Sequence, residues 1–235
     1  MTETTTPPVD DLVAAFQIEG WPLRGRIVRL GAAVDEVLSR HDYPEPVANL
    51  LGEACALAAL VGSSLKFEGR LIVQAQGDGP VSLVVADYDT TGALRGYCSF
   101  DAERLAEASG GFARPGARTL LGGGVFIMTI DQGPDMDRYQ GITPIEGETL
   151  ALCAEQYFAQ SEQTPTRVRL SVGFVLTLAP FVAAIWLSNS FFPDTGDAVA
   201  TLEVLLNLTL MFAAVIAGAT YRSHAYVAAE TALAS

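Results

Sequence analysis

Arg70–Gln76 (RLIVQAQ), Gly77–Pro80 (GDGP), Val81–Tyr88 (VSLVVADY), Asp89–Gly92 (DTTG) and Leu94–Phe100 (LRGYCSF) are three apolar runs separated by two turn signals. Val, Ile, Leu and aromatic residues suit a pleated, half-buried surface, whereas Gly, Pro, Asp and Thr break it. The Asp78-Gly79 pair predicts left-handed backbone closing an antiparallel hairpin, and Asp89 to Gly92 predicts a second reversal. Together they give a three-strand meander.

Upstream, Ala14-Phe16-Ile18 and Gly25 to Leu30 read as two strands around a Gly20-Trp21-Pro22 turn. Between them and the meander, Val47, Leu50, Leu51, Ala54, Ala58 and Val61 recur at steps of three and four, which predicts a helix over Glu45 to Ser64 with Pro46 in its first turn. Downstream, a helix start at Asp101 to Ala108 precedes a glycine-rich stretch, where Gly122-Gly123-Gly124 reads as backbone flexibility. A strand over Val125 to Ile130, a helix from about Glu146 to Ala159 and a strand over Arg167 to Leu170 complete the pattern. Hairpins and helices in mixed order, without regular strand–helix alternation, predict an α+β fold: a mixed sheet with packed helices.

The chain of 235 residues carries a net charge of −13 and no basic cluster. That excludes non-specific nucleic-acid binding, where Lys and Arg neutralise phosphates. Residues 1–11 are Thr- and Pro-rich with no apolar run, a flexible segment unlike a secretory signal, so the core is expected in the cytoplasm. Cys55, Cys98 and Cys153 are about 43 and 55 residues apart, a spacing that offers neither a disulfide framework nor a metal pair. His41 and His224 are equally isolated, and no metal site is proposed from these residues.

Charge is unevenly distributed. Residues 1–170 hold 23 acids and 13 basic residues; residues 171–235 hold four acids and one Arg. From Leu170 to Pro193 no charge occurs over 24 residues, roughly 36 Å if helical, against a hydrocarbon layer of about 30 Å. Val204 to Tyr221 is a second uncharged stretch of 18 residues. Arg167, Arg169 and Arg222 flank the pair, with acids between, as expected for a helical hairpin whose ends face the cytoplasm. The expected organisation is therefore residues 1–11, a core over 12–172 and a hydrophobic two-helix tail over 173–235. Membrane contact is expected through 170–193 and 204–221, at the inner face of the cytoplasmic membrane. Two buried helices of a soluble core are the competing reading.

Three short patterns invite chemistry and are outweighed. Ser63-Ser64-Leu65-Lys66 fits an S-x-x-K acyl-enzyme pattern but lacks its partner elements. Gly122 to Gly124 precedes a strand, whereas phosphate loops follow one. Asp131, Asp135 and Asp137 lack the ligand ladder and closing Glu of a calcium loop. No nucleophile–base pair or cofactor loop remains, so no enzyme is expected.

Five blocks resemble the N-terminal substrate-binding domain of the heat shock protein 33 family, in family order. They are Ser64 to Arg70, Gln74 to Val81, Ala86-Asp87-Tyr88 with Leu94 to Tyr97, Met128 to Gly133 with Tyr139 to Ile142, and Ala154 to Phe158 leading into Ser161 to Thr166. The resemblance covers residues 12 to about 172. It implies a cytoplasmic, ATP-independent holding chaperone that binds unfolded or partly folded proteins under oxidative or heat stress, and a homodimer in its active state. Family members also carry a C-terminal zinc switch of C-x-C and C-x-x-C cysteines. No such pair occurs in this sequence and its three cysteines match none of those positions, so no zinc, no other cofactor and no redox control is expected. The departure begins after Val172, where the core would miss an edge strand or take its pairing from the tail.

Leu71-Ile72-Val73 and Val125-Phe126-Ile127-Met128 are the expected client-binding residues, because aliphatic, Met and aromatic groups adapt to varied surfaces. A membrane-tethered binding module, or a truncated or fused product of a chaperone gene, are the alternatives.

Overall fold

The computed structural model describes residues 11–20, 23–66, 68–108, 115–133, 136–175 and 224–234. The meander forms as expected: β3 (Arg70–Gly77), β4 (Val81–Asp89) and β5 (Leu94–Phe100) pair antiparallel in sequence. β6 (Gly124–Asp131) joins the free side of β3, and β7 (Tyr139–Pro144) joins β6, giving a five-stranded sheet of order β5-β4-β3-β6-β7. The sequence pattern did not reveal β7, whose Tyr, Gln, Gly and Pro break the apolar alternation.

Helix α2 (Glu45–Gly62) packs on β3, β4 and β5. Its apolar residues run round most of its circumference, so it is buried on nearly all sides. Among the described residues it is the one helix long and apolar enough to cross a membrane, and core burial accounts for that composition. Gly96 on β5 lets it approach: a Cβ there would lie 2.9 Å from Leu51 Cδ1 and 3.0 Å from Cys55 Sγ. Helix α1 (Ala32–Ser39), absent from the sequence reading, packs along β5 and α2. Asp11 accepts from the N–H groups of Gly31 (2.9 Å) and Ala33 (3.3 Å), so the carboxylate satisfies donors at the start of α1.

The β3–β4 turn corrects a local expectation. Neither Gly77 nor Gly79 has positive φ; Gly92 in the second turn does (98°). Glycine is required at the first turn by crowding instead. Helix α4 (Ala117–Leu121) ends against it, and a Cβ on Gly79 would come within 2.5 Å of the Leu121 carbonyl carbon. Gly79 N–H donates to Leu121 O (2.7 Å), Asp78 N–H to Gly123 O (3.0 Å), and Gly123 N–H to Asp78 Oδ1 (2.7 Å). Gly122 to Gly124 is therefore a close-packed joint rather than a flexible tract, with Gly122 alone of the three in the left-handed region (φ 70°).

Helix α3 (Ala102–Ala108) follows β5, and Asp101 Oδ1 accepts from Glu103 N and Arg104 N at its start. Helix α5 (Leu150–Ser161) is capped by Thr149 Oγ1, which accepts from Leu152 N, and it covers β6 and β7. Its buried Glu155 accepts from Val168 N (2.8 Å) and pairs with Arg167 (2.8 Å), tying α5 to β8 (Thr166–Val175).

A second sheet has the order β1-β2-β9-β8, with β1 (Leu12–Ile18), β2 (Leu23–Leu30) and β9 (His224–Ala234). β9 pairs antiparallel with β2, from Leu23 opposite Ala234 to Leu30 opposite Val227. Of the two expectations for the core after Val172, a missing edge strand or a pairing taken from the tail, the second is the one seen, through residues of the expected hydrophobic tail. Leu170–Val175 is likewise strand and not the start of a helix. The rest of the two expected helical segments, 176–193 and 204–221, lies outside the described residues. The described residues up to Gly173 and from Ala225 onward belong to one compact unit.

Candidate functional site

Strand alternation divides the expected client-binding residues between the two faces of the five-stranded sheet. Leu71 and Val73 on β3, and Phe126 and Met128 on β6, point to the inner face and are fully buried in the core. There Phe126 meets Tyr157 of α5 edge-on at 6.3 Å between ring centroids. Ile72, Val125 and Ile127 point to the opposite, outer face. Each described helix that meets this sheet does so from the inner face or at its β3–β4 end.

The registers order the outer face into rows. One row crosses all five strands as Tyr97, Val85, Gln74, Ile127 and Ile142. Its ends are open, with Tyr97 45% and Ile142 55% exposed, while the central Ile127 retains 8%. The row towards the β3–β4 turn reads Ser99, Leu83, Gln76, Val125 and Pro144. These ten positions carry no ionisable carboxylate or cation. The row on the other side reads Arg95, Asp87, Ile72, Thr129 and Gln140, with Arg70 beyond it. Arg70 pairs with Asp87, Arg95 lies 4.0 Å from Asp87, and Arg138 pairs with Asp131 at 3.1 Å. The Asp87 carboxylate beside Arg70 holds the guanidinium above its ordinary pKa. The outer face is thus half apolar and half ion-paired, a boundary that would fix where an apolar chain lies. Leu83, Val85, Tyr97, Ile142 and Pro144 share these rows with the expected residues but were not among them; alternation in β4 and β5 carried the signal for the first three, and β7 had no strand signal.

The remaining candidates are structural. Ser63 Oγ and Ser64 Oγ donate to Leu60 O and Val61 O, closing the last turn of α2. Asp131 Oδ1 accepts from Gly133 N (3.1 Å) in a part-buried turn. Among the described residues no group of three or more His, Cys, Asp or Glu could hold a metal ion. All three thiols are free and buried, and burial raises the pKa of each, that of Cys55 to about 12. Protonated buried thiols are poor nucleophiles and poor metal ligands.

A family profile described as Hsp33 protein matches residues 11–182. The 33 kDa chaperonin of Caulobacter vibrioides NA1000 is 83% identical over 168 residues, covering 72% of this chain and 56% of its own length. That of Shewanella loihica is 39% identical over 176 residues, covering 72% and 59% respectively. The chain spans little more than half the length of these curated relatives. Among solved structures, the 33 kDa chaperonin of Thermotoga maritima superposes with a TM-score of 0.63 over 96% of this chain and 61% of its own, at 19% identity, which supports the fold. The sequence matches and the fold thus agree on one family. The chain belongs to the Hsp33 family.

Proposed function

We propose that this chain is an ATP-independent holding chaperone of the cytoplasm, answering heat or oxidative stress, and that it captures unfolding proteins on the apolar half of the outer sheet face. The observation that carries this reading is the row from Tyr97 to Ile142, apolar at four of five positions and open at both ends. Client binding there is burial of apolar area, about 25 cal/mol per Å² removed from water, with no bond made or broken. Ile72, Val125 and Ile127 belong to the face; Leu71, Val73, Phe126 and Met128 support it from beneath.

In this reading the chain works without zinc and without redox control, because its thiols lie on α2, β5 and α5 with raised pKa values and form no ligand cluster. Zinc does not fit the donor set, and no step passes through it. A membrane-tethered role through 170–193 and 204–221 is the weaker reading, since Leu170–Val175 is part of the sheet; carbonate extraction that leaves the chain in the membrane pellet would reinstate it.

The test is light scattering from a heat-aggregating client. Val85→Asp and Ile142→Asp place charge in the row at half-buried and exposed positions, and each should weaken suppression of aggregation about tenfold while the circular dichroism melt stays unchanged. Full suppression by both variants would defeat the assignment of this face.

A further inference from the structure

We propose that the Asp78-Gly79 pair is a conditional modification site. The folded chain blocks its rearrangement to isoaspartate, and parting of α4 from the β3–β4 turn releases it, with a product that the joint cannot readmit. This stands apart from the client-binding reading and uses no residue of the outer sheet face.

The dipeptide sets the chemistry. The sequence holds one Asp-Gly pair and no Asn-Gly. When the Gly79 nitrogen reaches the Asp78 carboxyl carbon, an N–Cγ bond forms, the nitrogen gives up its proton and the carboxyl its hydroxyl, so water leaves and a succinimide ring closes. Water then opens the ring at either carbonyl. Attack at Cγ restores aspartate, whereas attack at the backbone carbonyl carbon leaves the chain running through Cβ and Cγ, which is isoaspartate. No oxidant, metal or cofactor takes part. Glycine hinders ring closure least, because it has no Cβ and leaves the backbone most freedom.

Packing imposes this labile pair on the fold. A Cβ on Gly79 would come within 2.5 Å of the Leu121 carbonyl carbon and 2.6 Å of Gly122 N, so only glycine fits. Asp78 in turn supplies the acceptor for Gly123 N–H at 2.7 Å. The same contacts restrain both reacting groups. Gly79 N–H donates to Leu121 O at 2.7 Å, which keeps the proton on the nucleophile and aims it at the end of α4. Asp78 Oδ1 is turned to Gly123, while the main chain of Asp78 is fixed through its N–H to Gly123 O (3.0 Å) and through its carbonyl, which accepts from Arg104 Nη2 (2.6 Å). Ring closure needs rotation about the bonds at Cα of Asp78, and these contacts must release first. Asp78 is exposed, so restraint and not exclusion of water is the protection.

Segments of a folded chain open locally with free energies between zero and that of global unfolding. Where opening and closing are fast, rearrangement proceeds at the open-chain rate multiplied by the fraction open. Isoaspartate therefore records the time that α4 and the turn spend apart, a fraction that heating raises. Its main chain is one atom longer, so Gly79 N–H and the carboxylate cannot both return to Leu121 and Gly123. Modification thus makes an opening irreversible.

The experiment follows isoaspartate in the full chain at neutral pH, by peptide mapping of residues 71–95 and by methyl transfer from S-adenosylmethionine with an isoaspartyl methyltransferase. The folded chain should gain isoaspartate about tenfold or more slowly than the same chain in urea. Gly122→Ala, whose Cβ would strike Asp78 Oδ1 and come within 2.8 Å of Gly79 N, and Arg104→Ala, at an exposed position, should each raise the rate several-fold while circular dichroism shows them folded. If Gly122→Ala does not fold, Arg104→Ala alone decides. Asp78→Glu, whose longer side chain closes a ring far more slowly, should stay unmodified. On dilution from urea, the modified fraction should fail to recover the native thermal melt. Equal rates in the folded and urea-unfolded chain, no isoaspartate in either, no acceleration in the folded variants, or a modified chain with the native melt would each overturn the proposal.

Discussion

At Gly79 the backbone of one turn lies against the end of a helix from another part of the chain. A Cβ there would meet backbone of Leu120 and Leu121, which has no flexible end to move aside. Gly79→Ala should therefore cost roughly 2–4 kcal/mol, read as a lowered midpoint in urea unfolding, although alanine suits the φ of this residue. Glu53 poses the opposite case, a carboxyl kept where the helix is otherwise apolar. Burial raises its pKa from 4.5 to about 7. The unfolded chain ionises it near pH 4.5, so the folded state pays a desolvation penalty that is absent below that pH and grows as pH rises to about 7, where it levels off. Glu53→Gln should then stabilise the protein at pH 8 by an amount on the order of 2 kcal/mol and change little at pH 4. Equal effects at both values would show that the carboxyl is ionised without penalty.

Elements were legible where a period and a breaker agreed. The meander could be read from Arg70 to Phe100 because β-rich runs alternate with Gly, Pro and Asp, and α2 because its apolar residues keep helical steps over 18 residues. Helices α1 and α4, of eight and five residues, are too short to establish a period, and tertiary packing decides them. β7 was hidden by its composition, and with it Ile142 and Pro144 of the candidate site. β8 was read only as far as Leu170, because the uncharged run that starts there satisfies a buried strand as well as a membrane helix and periodicity alone cannot separate them, and β9 was placed in the tail with no strand read in it. β9 lies between β2 and β8, so its removal bares hydrogen-bonding edges on both neighbours. A chain ending at residue 223 should melt lower and become sensitive to trypsin within residues 12–30. Unchanged protection there would mean that β9 adds nothing to the sheet.

At the scale of the whole molecule, the acidic charge, the ion-paired half of the outer face and the buried thiols act together. A net charge of −13 favours solubility despite an apolar row, and in the proposed function it would disfavour strongly acidic clients while leaving apolar segments free to bind. The thiols bear on control. Peroxide reacts with thiolates, and each of the three cysteines is held protonated within the core by burial. On the proposed reading, oxidant would act on the folded chain only by unfolding it. Suppression of client aggregation by this chain should accordingly be the same, within about 1.5-fold, before and after exposure to peroxide at a temperature where it stays folded, and mass spectrometry should find all three thiols unmodified. A several-fold gain on oxidation, reversed by thiol reductant, would instead require one of Cys55, Cys98 or Cys153 to become exposed in the native ensemble. Serine substitution at each in turn would identify which, because only the responsive residue would abolish the gain.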